Sequence, residues 1–264
     1  MSKIEWCDKT WNVITGCSGI SEACRNCYAR TMHKRLHEMY KKNPTQKGVQ
    51  KYSQPFDKVV FHEDMLDEIL DTKKYPSGSR IFVNSMSDTF HLFVEHECQS
   101  KIFNAIKNRP DCDFLFLTKR VWRMFDMCLG LGSMFEGMLK PYPQNILFGA
   151  TIENQEQVKR ITPLIQIKKV KKSKIFISCE PLLSELHFGE DLKHIDWVIV
   201  GGEKIPNAPK RARPMKKEWV EKLYSDCRKA GVPFFFKQWG NAPRESKSLC
   251  EFETCKEFYK GGAK

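Results

Sequence analysis

"KKSKIFISCEPLL", residues 171–183, sets a run of apolar side chains between a lysine-rich turn and a sudden group of reactive ones. Ile175, Phe176 and Ile177 follow one another without the polar alternation of a half-buried strand, and such runs suit strands covered on both faces, as in parallel sheets. KIFISC (174–179) is therefore read as a buried strand that carries Ser178, Cys179 and Glu180 at its carboxyl end. Glu180 precedes Pro181, which pushes its backbone toward extended geometry and so fixes where the carboxylate points.

Six further runs have the same character: WNVIT (11–15), RIFVNS (80–85), DFLFLT (113–118), NILFGAT (145–151), DWVIVGG (196–202) and PFFFKQW (233–239). Between them, residues 27–42, 95–108, 153–169 and 216–231 show helical spacing, the last stopped by Gly231 and Pro233. Strands alternating with helices predict an α/β fold of βαβ units with right-handed crossovers, either an open sheet or a full or partial (β/α) barrel. Residues 41–79 break the rhythm and read as an insertion on the first βα unit of a single domain spanning 1–240. The polar segment 241–264 reads as a tail with a loose end.

A chain of 264 residues buries roughly three quarters of its unfolded surface and needs no staples, and an α/β barrel takes about 250 residues. The amino terminus lacks the apolar core of a signal peptide, and no apolar run approaches the length of a membrane span. A cytoplasmic protein without membrane partners is expected. In a reducing compartment the eleven cysteines are thiols or metal ligands rather than a disulfide framework. Lys and Arg number 44 against 32 Asp and Glu, a formal charge of +12, concentrated in KKVKKSK (168–174) and KRARPMKK (210–217). That balance favours nucleic acid or a nucleotide as partner or substrate, or else marks a well-solvated basic surface.

Functional groups of parallel α/β sheets gather where the strands end. After the first run come Cys17, Cys24 and Cys27, and after the second Asn84, Ser85, Ser87, Asp88 and His91. The third ends in Thr118, Lys119 and Arg120, and the fourth in Thr151, Glu153 and Asn154. The sixth ends in Gly201, Gly202 and Glu203, and the seventh in Lys237, Gln238 and Trp239. Seven polar strand ends exceed what helix capping requires and point to a shared active site.

The three cysteines follow C-x6-C-x2-C. A structural zinc site needs a fourth ligand, and His33 could complete a Cys3His set, but a helix starting near Cys27 turns His33 about 240° away from it. A 4Fe-4S cluster on three thiolates fits better, because it leaves one iron open to bind something else.

"IEWCDKTWNVITGCSGISEACRNCYA", "RIFVNSMSDTFH", "FLTKR", "GATIENQ", "ISCEPLL", "IDWVIVGGE" and "GVPFFFKQWG", in this order from Ile4 to about Gly240, resemble the phage Gp37/Gp68-like family of uncharacterised proteins, also called the DUF5131 or three-Cys-motif family. That family is similar in turn to radical S-adenosylmethionine (SAM) enzymes, which hold a 4Fe-4S cluster on three cysteines after the first strand of a full or partial TIM-like barrel. The resemblance implies that Cys17, Cys24 and Cys27 hold the cluster, that SAM binds its open iron, and that an electron donor is a partner. It departs from the usual superfamily pattern in the gap between Cys17 and Cys24, longer than the customary three residues, and in having Asn26 where an aromatic residue precedes the third cysteine.

In the superfamily a GGE-like element after the second strand meets the amino group of SAM, but here GGE (201–203) ends the sixth run and NSMSD the second. Asn84, Ser85 and Asp88 are by position the candidates for the amine. Gly201 and Gly202, with Glu203, either let backbone approach the cofactor or form a tight turn. Lys119 or Arg120 carries the charge for the SAM carboxylate, and Thr151 with Asn154 suits its ribose. The other reading spends Lys119 on an ion pair with Glu153 or Glu180. Glu180 could bind substrate, relay a proton or close an ion pair. Cys179 is a hydrogen-atom donor or a small buried residue. Trp239 and Gln238 could engage a base or adenine, or Trp239 serves as a core lid. Base modification or lesion repair are the specific activities implied. The alternative is a non-enzymatic nucleic-acid-binding protein with structural zinc on the same cysteines.

Overall fold

The computed structural model describes residues 4–130, 143–205, 208–242 and 250–261. It is an α/β fold built on parallel strands. Seven strands, β1 (Lys9–Trp11), β4 (Arg80–Val83), β5 (Asp113–Thr118), β6 (Ile146–Thr151), β7 (Lys174–Cys179), β8 (Trp197–Gly201) and β9 (Phe234–Gln238), follow in that order in one sheet. β1 and β9 are its two edges, so the strand order is that of a partial (β/α) barrel rather than a closed one. The helices α1 (Tyr28–Lys42), α2 (His96–Lys107), α3 (Val121–Leu129), α4 (Ile161–Lys171) and α5 (Lys217–Ala230) lie in the connections. Gly130 and Gly231 end α3 and α5 in the left-handed conformation that glycine adopts without strain.

Six of the seven expected strands form close to where they are expected. The first differs. Only Trp11 of the 11–15 run lies in the large sheet; β2 (Ile14–Thr15) turns away and pairs antiparallel with β3 (Val60–Phe61) from the insertion. The cause is Asn84, at φ +57 just past β4, whose Oδ1 accepts the N–H groups of Val13 and Ile14 at 3.0 Å each. Those two donors are satisfied by a side chain in place of a sheet neighbour, so the ladder stops. The expected helix over 153–169 begins as a 3₁₀ segment, Gln155–Arg160, before α4. α3 was not legible in the sequence.

The chain folds as two compact units, Cys7–Ile146 and Met1–Trp6 with Leu147–Gly262. In the first, fully buried Trp11, Phe90, Phe103, Phe114 and Phe116 fill the space around β4 and β5. Buried Arg109 ties down the insertion, donating to the carbonyls of Ile69 at 2.6 Å and Tyr75 at 2.7 Å while pairing with Asp111. In the second unit Trp197 is the hub: its ring meets Tyr259 at 5.3 Å, Phe258 at 5.6 Å, Phe176 at 5.9 Å and Trp6 at 6.3 Å, and its indole N–H donates to the Glu257 carbonyl. Within the expected polar tail, residues 250–261 are packed, and the end expected to be loose falls on 262–264, outside the described residues. Lys256 bridges antiparallel to Phe235, Phe236 N–H donates to the Cys255 carbonyl, and Phe252 is buried, so this segment covers the β9 edge.

Candidate functional site

The cysteine loop belongs to the first unit and is positioned by backbone before any side chain acts. Gly16, at φ +85, lies so close to the chain at Lys58 that a Cβ would sit 2.0 Å from the Lys58 carbonyl oxygen. Only glycine permits that approach. Cys17 N–H then donates to the Phe56 carbonyl at 2.8 Å, and Gly16 bridges in parallel to Ser87. The insertion thus forms one wall of the loop. From Glu22 to Asn26 the chain makes a 3₁₀ turn, and Cys27 immediately precedes α1.

All three thiols are free and half-buried. Cys17 Sγ lies 3.4 Å from the Ser18 carbonyl and Cys24 Sγ lies 3.8 Å from Ser21 Oγ. As placed, no three His, Cys, Asp or Glu side chains among the described residues form a set that could hold a metal ion. The donor chemistry nevertheless fits an iron–sulfur cluster, since three free thiols share one short loop. Burial opposes the thiolate of Cys24, yet the Lys119 charge and the N–H groups of Ile20 and Ser21 outweigh it and hold this thiol below its ordinary value. Cys17 is pushed up to about 11, by burial first and by Asp88, with Arg120 pulling the other way. His33 takes no part. It is buried in α1 with its ring edge-on to Tyr52 and Phe56, and its Nε2 donates to the Gln54 carbonyl at 2.9 Å. No Cys3His zinc site therefore assembles on it.

The groups after β4 and β5 close around this loop. Asn84 is consumed in holding Val13 and Ile14, and its Nδ2 donates to Thr89 Oγ1 at 2.8 Å. Ser85 Oγ donates to Asn12 Oδ1, while the Ser85 carbonyl accepts the Tyr28 hydroxyl. Asp88 is buried against Arg120, Oδ2 to Nη1 at 2.9 Å, and accepts Thr118 Oγ1. Arg120 reaches on to Ser18 and Cys17, and Ser18 N–H donates to His91 Nε2 at 3.3 Å. Burial and Arg120 lower the pKa of His91, so its ring is neutral. Lys119, beside Cys24, has no hydrogen bond or ion pair among the described residues. Ser18, Gly16 and the Phe56–Lys58 wall went unnoticed in the sequence, where a serine between two strand ends carries no signal of its partners.

In the second unit the strand ends are also occupied. Thr151 is buried and its carbonyl accepts Arg160 at 2.6 Å; Arg160 also pairs with fully buried Glu153. Asn154 caps the 3₁₀ segment, accepting Gln157 N–H at 3.2 Å. Glu180 pairs with Lys237 at 2.9 Å and accepts from Trp6 Nε1 at 3.2 Å and Ser178 Oγ at 3.3 Å; its bond to Pro181 is cis. Gly201 exists in this form because a Cβ there would lie 2.5 Å from Glu180 Oε1, and Gly202 because one would lie 1.9 Å from the Trp239 carbonyl oxygen. Glu203 is buried and bound to Arg213 through its N–H at 2.9 Å and its guanidinium. Cys179 is fully buried and its thiol stays protonated, because burial, then Cys227, Glu180 and Glu153, raise its pKa. Gln238 Nε2 donates to the Gly202 carbonyl, and the Trp239 ring packs on Phe236 and Phe252.

The two basic runs divide. Residues 168–174 lie between the end of α4 and the start of β7, away from the strand carboxyl ends, with Lys168 paired to Asp196 at 2.7 Å. Residues 210–217 follow β8 on the side of the functional strand ends, although Arg213 is spent on Glu203. No described helix is long and apolar enough to cross a membrane.

One family profile, described as a protein of unknown function (DUF5131), matches residues 1–259. The chain belongs to the DUF5131 family. No curated protein matches its sequence. Among solved structures it is similar to a mutant of spore photoproduct lyase at TM-score 0.54 and 13% identity, covering 90% of this chain and 79% of the other. Spore photoproduct lyase complexed with a dinucleoside spore photoproduct is similar at TM-score 0.49 and 13% identity, over 85% of this chain and 75% of the other. At 13% identity the likeness to the first of these is one of fold alone, and it agrees with the α/β partial-barrel architecture expected from the sequence.

Proposed function

We propose that this DUF5131 protein is a radical-SAM-like enzyme that holds a 4Fe-4S cluster on Cys17, Cys24 and Cys27, binds SAM, and modifies or repairs a nucleic acid or nucleotide in the cytoplasm. The observation that carries the reading is the three-thiol loop at the end of the first strand of a parallel, partial (β/α) barrel, with Lys119 electrostatically lowering one thiol of the three. When bound, cluster and SAM supply one-electron chemistry at carbon, and the protein's share is placement, charge and exclusion of water. An electron donor is required as a partner.

Each residue then has a task set by its partners. Lys119 is the cation left to meet the SAM carboxylate, since Arg120 is committed elsewhere. Asn84 and Asp88 hold backbone and a counter-ion, so cofactor contacts beside the cysteine loop fall to Ser85; in the second unit Glu203 is likewise committed to Arg213. Glu180, held by Lys237, Trp6 and Ser178, is a fixed carboxylate for substrate, and Cys179 behind it is a protonated thiol. The substrate class draws support from the +12 charge, the basic run 210–217, and the name of the structural neighbour, a photoproduct lyase.

Anaerobic isolation with iron and sulfide analysis tests the reading. It requires a brown protein with three to four irons per chain that cleaves SAM when reduced, as the cluster stoichiometry dictates. A colourless protein carrying one zinc per chain overturns it.

A further inference from the structure

Arg120 carries the charge a SAM carboxylate needs, but its donors are already assigned. Nη1 faces Asp88 Oδ2 at 2.9 Å and Cys17 Sγ at 3.7 Å; Nη2 faces the Ser18 carbonyl at 2.8 Å and Ser18 Oγ at 3.1 Å. A guanidinium has five N–H donors, two on each terminal nitrogen, so both nitrogens of the fork are used. The group is also buried, at 7% side-chain exposure for Arg120 and 8% for Asp88, and cannot swing to a ligand without leaving a buried carboxylate unpaired. Behind it Thr118 Oγ1 donates to Asp88 and accepts the Arg120 N–H at 2.9 Å, while Phe90 N–H donates to Asp88 at 2.9 Å. β5 and the loop after β4 therefore fix the fork rigidly.

The geometry points to Arg120 as a positioning residue for the first cysteine: with Asp88 as its anchor, it clamps the Cys17–Ser18 peptide and directs a cationic N–H at the Cys17 sulfur. Resting on the proposed cluster, this gives Arg120 and Asp88 opposite influence on the redox state of the site. N–H groups directed at ligand sulfurs, and nearby charge, tune the potential of iron–sulfur clusters. A positive charge beside the sulfur favours the reduced, more negative cluster; the Asp88 carboxylate behind it favours the oxidised one. Lys119 is left as the cofactor cation.

The test is a redox titration of the anaerobically loaded protein by electron paramagnetic resonance, with iron retention against a chelator measured alongside. Arg120→Met shifts the midpoint to more negative potential and weakens iron retention by about 10- to 100-fold, the usual effect of losing a group that orients a metal ligand. Asp88→Asn, which keeps an acceptor for Thr118 and Phe90, shifts the midpoint to more positive potential. Arg120→Lys keeps the charge and falls between Arg120→Met and the parent, so a misfolded Arg120→Met leaves two variants to decide. Shifts of the same sign in the Arg120 and Asp88 variants, or none, overturn the assignment while leaving the cluster intact. A parent protein that takes up no iron overturns the proposed function and this inference together.

Discussion

The Gly201–Gly202 pair separates a structural role from a ligand-binding one, and each glycine makes its own quantitative demand. Alanine at 201 puts a Cβ 2.5 Å from Glu180 Oε1 and 3.3 Å from its Cδ and Cγ. The carboxylate must swing aside, giving up Lys237 at 2.9 Å, Ser178 at 3.3 Å and the indole of Trp6, a residue only 2% exposed. Overpacking costs about 1–3 kcal/mol and a hydrogen bond to a charged group about 1.5–3 kcal/mol; here they are two descriptions of one relaxation, so Gly201→Ala costs about 2–3 kcal/mol. At 202 the obstacle is backbone: the Cβ would lie 1.9 Å from the Trp239 oxygen and 2.5 Å from its carbonyl carbon. No rotamer relieves that clash. The bonds from Gly202 N–H to the Gln238 carbonyl at 2.8 Å and from Gln238 Nε2 to the Gly202 carbonyl at 3.0 Å must open, which places Gly202→Ala above about 4 kcal/mol. Urea unfolding followed by circular dichroism measures both. Truncating Glu180 to alanine removes the obstacle at 201, so the Glu180→Ala/Gly201→Ala cycle shows coupling of about 1–2 kcal/mol. If both glycine variants unfold within about 0.5 kcal/mol of the parent, the pair serves ligand access alone and the packing argument fails.

Three further outcomes are expected. In the metal-free chain at neutral pH, iodoacetamide alkylates Cys24 before Cys17. A lowered pKa means more thiolate at that pH, whereas Cys17 gains reactivity only as pH climbs toward about 11; peptide mapping with Cys17 modified first contradicts this order. Lys119→Met slows Cys24 alkylation and weakens SAM binding to the loaded protein by about tenfold or more while iron content is kept, as calorimetry and iron analysis record; unchanged SAM affinity removes Lys119 from the site. Phe252→Ala costs about 3–5 kcal/mol, because the ring is 1% exposed and packs on Phe236 at 5.1 Å and Trp239 at 5.5 Å, and a cost below about 0.5 kcal/mol refutes the packing of residues 250–261 on the β9 edge.

What the sequence disclosed follows from what local pattern encodes. Runs such as FLFL (114–117) and VIV (198–200) announce strands because burial on both faces leaves no polar position, and the βα alternation then dictates a parallel α/β sheet. The strand-end inventory could be drawn up for the same reason: the residues after each run are fixed by chain order. Partners across the fold are not written in chain order. That Asn84 spends its amide on Val13 and Ile14, or that Gly201 yields to Glu180, depends on register between strands far apart in sequence. The packing of residues 250–261 carries no sequence signal, because a few aromatic residues among charged ones give no periodicity, yet Phe252, Phe258 and Tyr259 suffice to cover an edge strand and the Trp197 ring.

The same distinction changes the weight of charge as evidence for substrate. Read as composition, +12 favours a polyanion, and both basic runs count toward it. In the fold, Lys168, Lys169 and Lys171 occupy the last turn of α4, where cations complement the helix dipole, and Lys168 is further held by Asp196 and the His194 carbonyl. Their positive charge is accounted for by helix stability at the turn that leads into β7. The run 210–217 remains, and within it Arg213 is bound to Glu203, which leaves Lys210, Arg211, Lys216 and Lys217 as phosphate candidates, with Lys217 also paired to Glu221. A footprint of three or four cations predicts a shallow salt dependence, a slope of about −2.7 to −3.6 in log affinity against log salt on duplex DNA and less on a single strand. Such a site suits a short stretch of strand or a single nucleotide more than a long duplex, and the substrate search belongs there.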